Sequence, residues 1–170
     1  AILSYIPGME AYISFGHKPA PKKDEFGKVY YHMVLIAKNQ TGLQNLFKLI
    51  RLSTKRDHYY YKPRIALYEL LEHSEGLIAT TGCLASMTST SILAEAYGIE
   101  KMDCLQKHAL GITCNDHDIP EGTVLDQSIK GYRSVDNLLD IFTKAFKDDL
   151  YLEIQDSGAP GQEIVNAAII

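Results

Sequence analysis

No apolar run in this chain approaches the ~18 residues needed to span a membrane, and its start has neither the basic nor the apolar stretch of a secretory leader. Cysteine is scarce and odd in number: three residues in 170 argue for reduced thiols in a cytoplasmic setting, not a disulfide framework. Positive charge is short as well. Lys and Arg number 17 against 21 Asp and Glu, a net charge of −4, which speaks against a freestanding DNA-gripping domain. Tryptophan is absent altogether, and eleven tyrosines carry most of the aromatic content. What remains is ordinary for a globular protein, 46% hydrophobic and 22% charged, with enough chain for one domain and a real core.

Val29 to Ile36 is the most telling segment. Seven of its eight residues suit a buried β-strand, yet His32 sits in the middle. An unsatisfied imidazole in a core costs about 1–3 kcal/mol, so His32 needs a partner: a backbone carbonyl, a tyrosine hydroxyl, or a metal. Two other ligand-type side chains occupy comparable places. Glu10 follows Pro7-Gly8 inside a short apolar run, and Cys83 closes Gly76 to Cys83, a short strand that stops at Gly82. Side chains at strand C-termini converge on one face of a parallel barrel. A Glu/His/Cys set there makes a plausible metal shell, since imidazole and thiolate both suit zinc.

The order of elements argues for an α/β fold with mainly parallel strands. A strand near Met9–Ser14 leads through a Pro/Lys/Gly loop to the His32 strand. Leu43, Leu46, Phe47, Leu49 and Ile50 then mark a helix from about Thr41 to Leu52. Pro63 interrupts the pattern; Leu67, Leu70 and Leu71 predict a short helix before the Gly76–Thr81 strand. Val135 to Phe146 is the clearest amphipathic helix, with Ser134 placed as N-cap and Lys144 and Lys147 in its last turn. A strand at Leu150–Ile154 and a helix over Gln162–Ile170 follow.

Three stretches have plain explanations. Lys18 to Lys28 holds Lys22 and Lys23 beside two prolines and reads as a solvated loop offset by Asp24 and Glu25. Tyr59-Tyr60-Tyr61 is the densest aromatic patch; aromatics in series can stack bases, but filling a core is the expectation here. Cys104, His108, Cys114 and His117 lie between Gly98 and Gly131, and their gaps do not reproduce the paired short spacings of structural zinc sites. Residues 98–131 are expected to be an inserted surface excursion.

Six ordered blocks carry a resemblance. They are Gly8-Met9-Glu10-Ala11-Tyr12; Tyr30 to Asn39 with Gly42 and Asn45 to Leu49; Tyr60-Tyr61-Lys62-Pro63-Arg64-Ile65; Glu75 to Ala79; Gly82-Cys83-Leu84; and Tyr151 to Asp156. Together they closely resemble the PHP (polymerase and histidinol phosphatase) domain of the bacterial DNA polymerase III alpha subunit. They cover Pro7–Leu84 well and Leu150–Asn166 fairly, whereas Ser89–Lys147 hardly aligns. The resemblance implies a distorted β/α barrel of PHP type whose strand ends bind a cluster of divalent metals, zinc, manganese or magnesium. By motif the family's glutamate, strand histidine and cysteine ligands fall on Glu10, His32 and Cys83. In metal-competent members such a cluster supports phosphoester hydrolysis, including proofreading-type removal of DNA 3′ ends, because clustered cations activate water and neutralise phosphate charge.

The resemblance also marks departures. The family's opening His-x-His block, its later His ligands and its closing Asp-x-His block have no counterpart between Ala1 and Ile170, and no polymerase palm is present. Ser157 stands where the family commonly has His, and Ala66 where Asp often follows Lys-Pro-Arg-Ile. The expectation is therefore a single incomplete PHP domain over 1–170, a partial barrel with exposed sheet edges that self-associates or covers them with the 98–131 excursion. Its parent would be a bacterial or phage DNA polymerase acting on DNA beside other replisome subunits. By itself the chain should hydrolyse little. The alternatives are a structural scaffold with an inactive metal site and a standalone PHP phosphatase.

Overall fold

The computed structural model describes residues 5–14, 29–97, 135–159 and 161–170. The expected excursion at 98–131 and the Lys18–Lys28 loop, with the cysteines and histidines of the former and the Ser134 cap, lie outside the described residues.

A five-stranded sheet organises the rest. Its strands are β1 (Gly8–Ser14), β2 (Tyr31–Ala37), β5 (Ile65–Ala66), β6 (Leu77–Thr80) and β7 (Leu150–Tyr151), in the order β5-β1-β2-β6-β7. Parallel pairing, as expected, holds at the two outer positions, β5 with β1 and β7 with β6. At the centre β2 runs antiparallel to both β1 and β6. The chain therefore reverses between β1 and β2, and again between β2 and β6, and the longest strands pair with opposite direction. A barrel is not closed by these five strands: β5 and β7 are edges.

The sheet has one wet and one dry face. Ala11 and Ile13 of β1, Tyr31, Met33 and Leu35 of β2, and Leu77 and Ala79 of β6 are buried, while the alternating residues are only half-buried or exposed. Period-2 alternation thus operates inside β2, and its histidine faces the open side, not a core. Three helices cover the dry face. α1 (Gln40–Ser53) contributes Leu46 and Leu49, α2 (Leu67–Glu72) contributes Leu67 and Leu70, and α4 (Val135–Phe146) contributes Leu138, Phe142 and Phe146, four residues apart on one stripe. Phe47 and Ile50, counted with the α1 stripe, are exposed. Lys38 reaches Asp149 at 2.7 Å across this side, and that carboxylate holds the lysine pKa above its ordinary value; such an exposed pair adds little stability.

α1 begins where sequence and packing agree. Asn39 is extended, and its Oδ1 accepts the Gly42 N–H at 3.0 Å, a cap that contributes about 1 kcal/mol. Asn45 Nδ2 donates to Glu75 O at 2.8 Å, and the Lys38 N–H donates to Gly76 O at 2.9 Å. Gly42 and Gly76 consequently meet backbone to backbone.

α3 (Met87–Tyr97) has no apolar stripe to announce it. Thr88, Ser89, Thr90 and Ser91 are all buried, as are Met87, Ile92 and Leu93. Ser86 starts it: its Oγ accepts the Ser89 N–H at 3.1 Å. Leu84, Ile92 and Leu93 pack with Val165 of α5 (Gln162–Ile169) in a second, smaller core.

Tyr59–Tyr60 (β3) and Lys62–Pro63 (β4) form a separate two-stranded hairpin. Its single turn residue, Tyr61, has φ 57°, a left-handed conformation that costs a bulky side chain about 1–3 kcal/mol. The tyrosine patch does not fill the core. Tyr59, Tyr60 and Tyr61 are 56%, 45% and 81% exposed, because the hairpin stands off the sheet and offers no apolar surface to bury them.

Candidate functional site

The open face of β1 and β2 gathers the side chains picked out in the sequence. Cross-strand pairing sets Tyr12 opposite His32 and Glu10 opposite Val34, so Glu10, Tyr12 and His32 share one face. Cys83 does not sit on β6. Gly82, at φ 69°, turns the chain after that strand, and the following segment returns along β2, where the His32 N–H donates to Ala85 O at 3.2 Å and His32 pairs with Ser86. The turn delivers Cys83 to the histidine.

His32 Nδ1 lies 2.9 Å from Glu10 Oε1 and 3.6 Å from Cys83 Sγ. The imidazole is 27% exposed, the Glu10 carboxylate about half exposed, and the thiol half-buried, with the Ala85 N–H donating to Cys83 Sγ at 3.4 Å. One carboxylate, one imidazole and one thiol therefore meet at a single ring nitrogen, a donor set that suits zinc by chemistry. Among the described residues, no three His, Cys, Asp or Glu side chains are arranged to hold an ion by themselves. The cluster as it stands is hydrogen-bonded, and further donors would have to complete a metal shell.

Two tyrosines frame the histidine that sequence reasoning did not single out. The Tyr30 ring stacks on His32 at 5.9 Å with 4° between planes, and the Tyr12 ring lies 5.2 Å from His32 and 4.7 Å from Tyr30. Their signal was the i, i+2 spacing of Glu10 with Tyr12 and of Tyr30 with His32, which puts each pair on one strand face. Lys62 Nζ sits 5.5 Å over the Tyr12 ring, joining the β3–β4 hairpin to the site.

A second titratable cluster joins the buried His58 and Glu69 to the exposed Asp57. His58 Nε2 is 2.8 Å from Glu69 Oε1, and its Nδ1 is 2.8 Å from Asp57 Oδ1. Glu69 Oε2 also accepts the Ala66 N–H at 2.9 Å, so the carboxylate closes the start of α2 where Ala66 has no side-chain acceptor of its own. Arg64 is buried beside them, its Nε donating to His58 O at 3.4 Å and its guanidinium 5.6 Å from the Tyr60 ring; burial lowers its pKa. Nothing of this pairing was read in the sequence. His58 and Glu69 are eleven residues apart, on a loop and a helix.

Glu153 and Gln155, from the Leu-Glu-Ile-Gln-Asp block, serve a third network. Thr80 Oγ1 donates to Glu153 Oε2 at 2.8 Å, the Glu153 N–H donates to Thr81 Oγ1 at 2.9 Å, and Gln155 Nε2 donates to Glu153 Oε1 at 2.7 Å. They tie the chain after β7 to the end of β6.

With this geometry in hand, the similarity to known proteins is specific. The PHP domain family matches residues 3–157, a continuous span that includes the Ser89–Lys147 stretch the motif blocks left unmatched. The chain is similar to the DNA polymerase III subunit alpha of Borreliella burgdorferi, 32% identical over 165 residues, and to that of Aquifex aeolicus, 34% identical over 171 residues; each alignment takes in 97% of this chain. The same subunit of Helicobacter pylori is 30% identical over 165 residues, again 97% of the chain. The chain spans only 11% to 12% of the length of these relatives. Among the described residues no helix is long and apolar enough to cross a membrane.

Proposed function

This chain belongs to the PHP domain family, and on that premise we propose that it is the PHP module of a cytoplasmic replicative DNA polymerase III alpha subunit, in which Glu10, His32 and Cys83 help to hold a divalent metal used for phosphoester hydrolysis at DNA 3′ ends. The observation that carries the reading is the meeting of Glu10 and Cys83 at one ring nitrogen of His32 on the open face of the sheet. A bound divalent cation would supply an activated water and neutralise phosphate charge. The chain's own residues have other tasks: Tyr30 and Tyr12 fix the imidazole plane, and the Ala85 N–H orients the thiol. Glu10, His32 and Cys83 would need further donors to complete the shell, so the 170-residue chain alone is expected to hydrolyse little.

The test is metal content and 3′-end hydrolysis of a single-stranded oligonucleotide in the full-length protein. His32→Ala is expected to lower metal affinity and hydrolysis by about 100-fold or more. Unchanged metal content in that variant would end the assignment.

A second reading makes the module a scaffold for polymerase, clamp or exonuclease contacts, or for another copy of itself. It draws on the exposed strip Tyr151, Leu152 and Ile154 at the β7 edge of the sheet. Assembly lost on Ile154→Lys, with metal content and hydrolysis retained, would favour it.

A further inference from the structure

The β3–β4 hairpin is an odd place for three tyrosines. None is buried, and the turn between the strands forces the most exposed of them, Tyr61, into a backbone conformation that favours glycine. The rings are in contact nonetheless: Tyr60 and Tyr61 meet edge to face at 4.7 Å, and the Arg64 guanidinium lies 5.6 Å from the Tyr60 ring.

Charge is segregated here too. Between Thr54 and Ile65 the chain carries Lys55, Arg56 and Lys62, besides the buried Arg64, against Asp57 alone, although the whole chain is at −4, and Asp57 is engaged by His58. An exposed lysine beside exposed π-faces, with Lys55 and Arg56 close by in the chain, fits an anionic, unpaired, base-bearing strand better than it fits an apolar protein surface. The hairpin also has a direction. Lys62 sits over Tyr12, and Tyr12 contacts His32, so the aromatic–cationic surface runs without a break into the Glu10–His32–Cys83 cluster.

We propose that the Tyr59–Lys62 hairpin is a stacking platform for single-stranded nucleic acid. Tyr60 and Tyr61 receive unpaired bases, while Lys62 meets the backbone on its way to His32. The proposal deepens the functional reading above, from which it takes the reason for a strand end to come here, but its test does not depend on hydrolysis.

In the full-length protein, a single-stranded oligonucleotide carrying 5-iodo-deoxyuridine near its 3′ end is photo-cross-linked and the adducts are mapped by mass spectrometry. Adducts are expected on the peptide holding Tyr59–Tyr61, competed by unlabelled single strand and poorly by duplex. Tyr61→Ala should lower the yield at Tyr60 about fivefold or more, whereas Tyr61→Phe, which keeps the π-face, should retain it. Tyr61→Gly should lower the yield while raising the melting temperature, since it relieves the turn, and so separates lost stacking from lost folding. Lys62→Ala should reduce the salt dependence of the yield by about one phosphate contact.

Absence of adducts at the hairpin, equal competition by duplex, or full yield in Tyr61→Ala would overturn the proposal. So would an effect of Tyr61→Ala confined to the assembly of other proteins. Metal unchanged in His32→Ala beside a Tyr61-dependent cross-link sinks the metal centre and leaves the platform standing; the converse result sinks the platform alone.

Discussion

Gly42→Ala is expected to destabilise the protein by about 4 kcal/mol, at the upper end of what single substitutions do. Helix propensity alone predicts the opposite, a gain of about 1 kcal/mol for replacing glycine in a helix. The structure reverses the sign because a Cβ at Gly42 would stand 1.9 Å from Gly76 O and 2.6 Å from Gly76 C. Both obstacles are backbone, so no rotamer change relieves them. Gly76 cannot retreat easily either: it has φ 74°, and the contact zone holds the Asn39 cap and the Lys38–Gly76 hydrogen bond. Separating the start of α1 from the turn before β6 would undo these together. Gly158→Ala is the comparison, since Gly158, unlike Gly42, has positive φ but meets none of the described atoms within 4 Å, and it should cost only about 1–2 kcal/mol. Urea midpoints for the two variants decide the matter; equal losses would mean that the close approach is not a constraint.

The second large effect concerns Glu69. Glu69→Ala removes the acceptor facing His58 Nε2 and the one that the Ala66 N–H uses, both buried. Leaving a buried hydrogen-bonding group without its partner typically costs about 1–3 kcal/mol, and here the imidazole and the Ala66 amide both lose theirs. Replacing both at once is a different experiment: His58→Phe with Glu69→Leu fills the space with apolar side chains and should recover more than half of that loss. The remainder reports the orphaned Ala66 amide, about 1–3 kcal/mol. A Glu69→Ala variant within 1 kcal/mol of the parent by chemical denaturation would show that the pair contributes nothing net.

Both effects involve contacts that a one-dimensional reading handles poorly, and the reasons are physical. α1 and α4 were legible because Leu46 and Leu49, or Leu138, Phe142 and Phe146, recur at helical spacing on otherwise polar segments. α3 was not, because Thr88 to Ser91 are weak helix formers and are buried on every side, which leaves no stripe. The β2 strand was found, but its facing was hidden: Val34 and Ile36 are apolar and still only half-buried, so alternation was invisible in residue type. Strand direction was half legible, since the outer parallel pairings follow helices while the central reversals depend on where the chain returns. The strand expected at Leu150–Ile154 shrinks to Leu150–Tyr151 because Thr80 and Thr81 bond the following chain through side chains.

At the candidate site, residue type was enough to suggest Glu10, His32 and Cys83, since few side chains can ligate a metal. The framing tyrosines required knowing the register between β1 and β2. The exposure of Tyr59–Tyr61 required knowing that their hairpin pairs with itself and not with the sheet.

β2 is flanked on both sides by partner strands, whereas the hairpin is two strands of two residues each. In deuterium exchange the amides of β2 should therefore open only when the whole domain does, and those of the hairpin through local fraying. His32 should then ride on a slowly exchanging strand, and the tyrosines on a fast one. Anything that touches both should write its presence as new protection at Tyr59–Pro63 with little at Tyr31–Ala37, where protection is expected to be high beforehand.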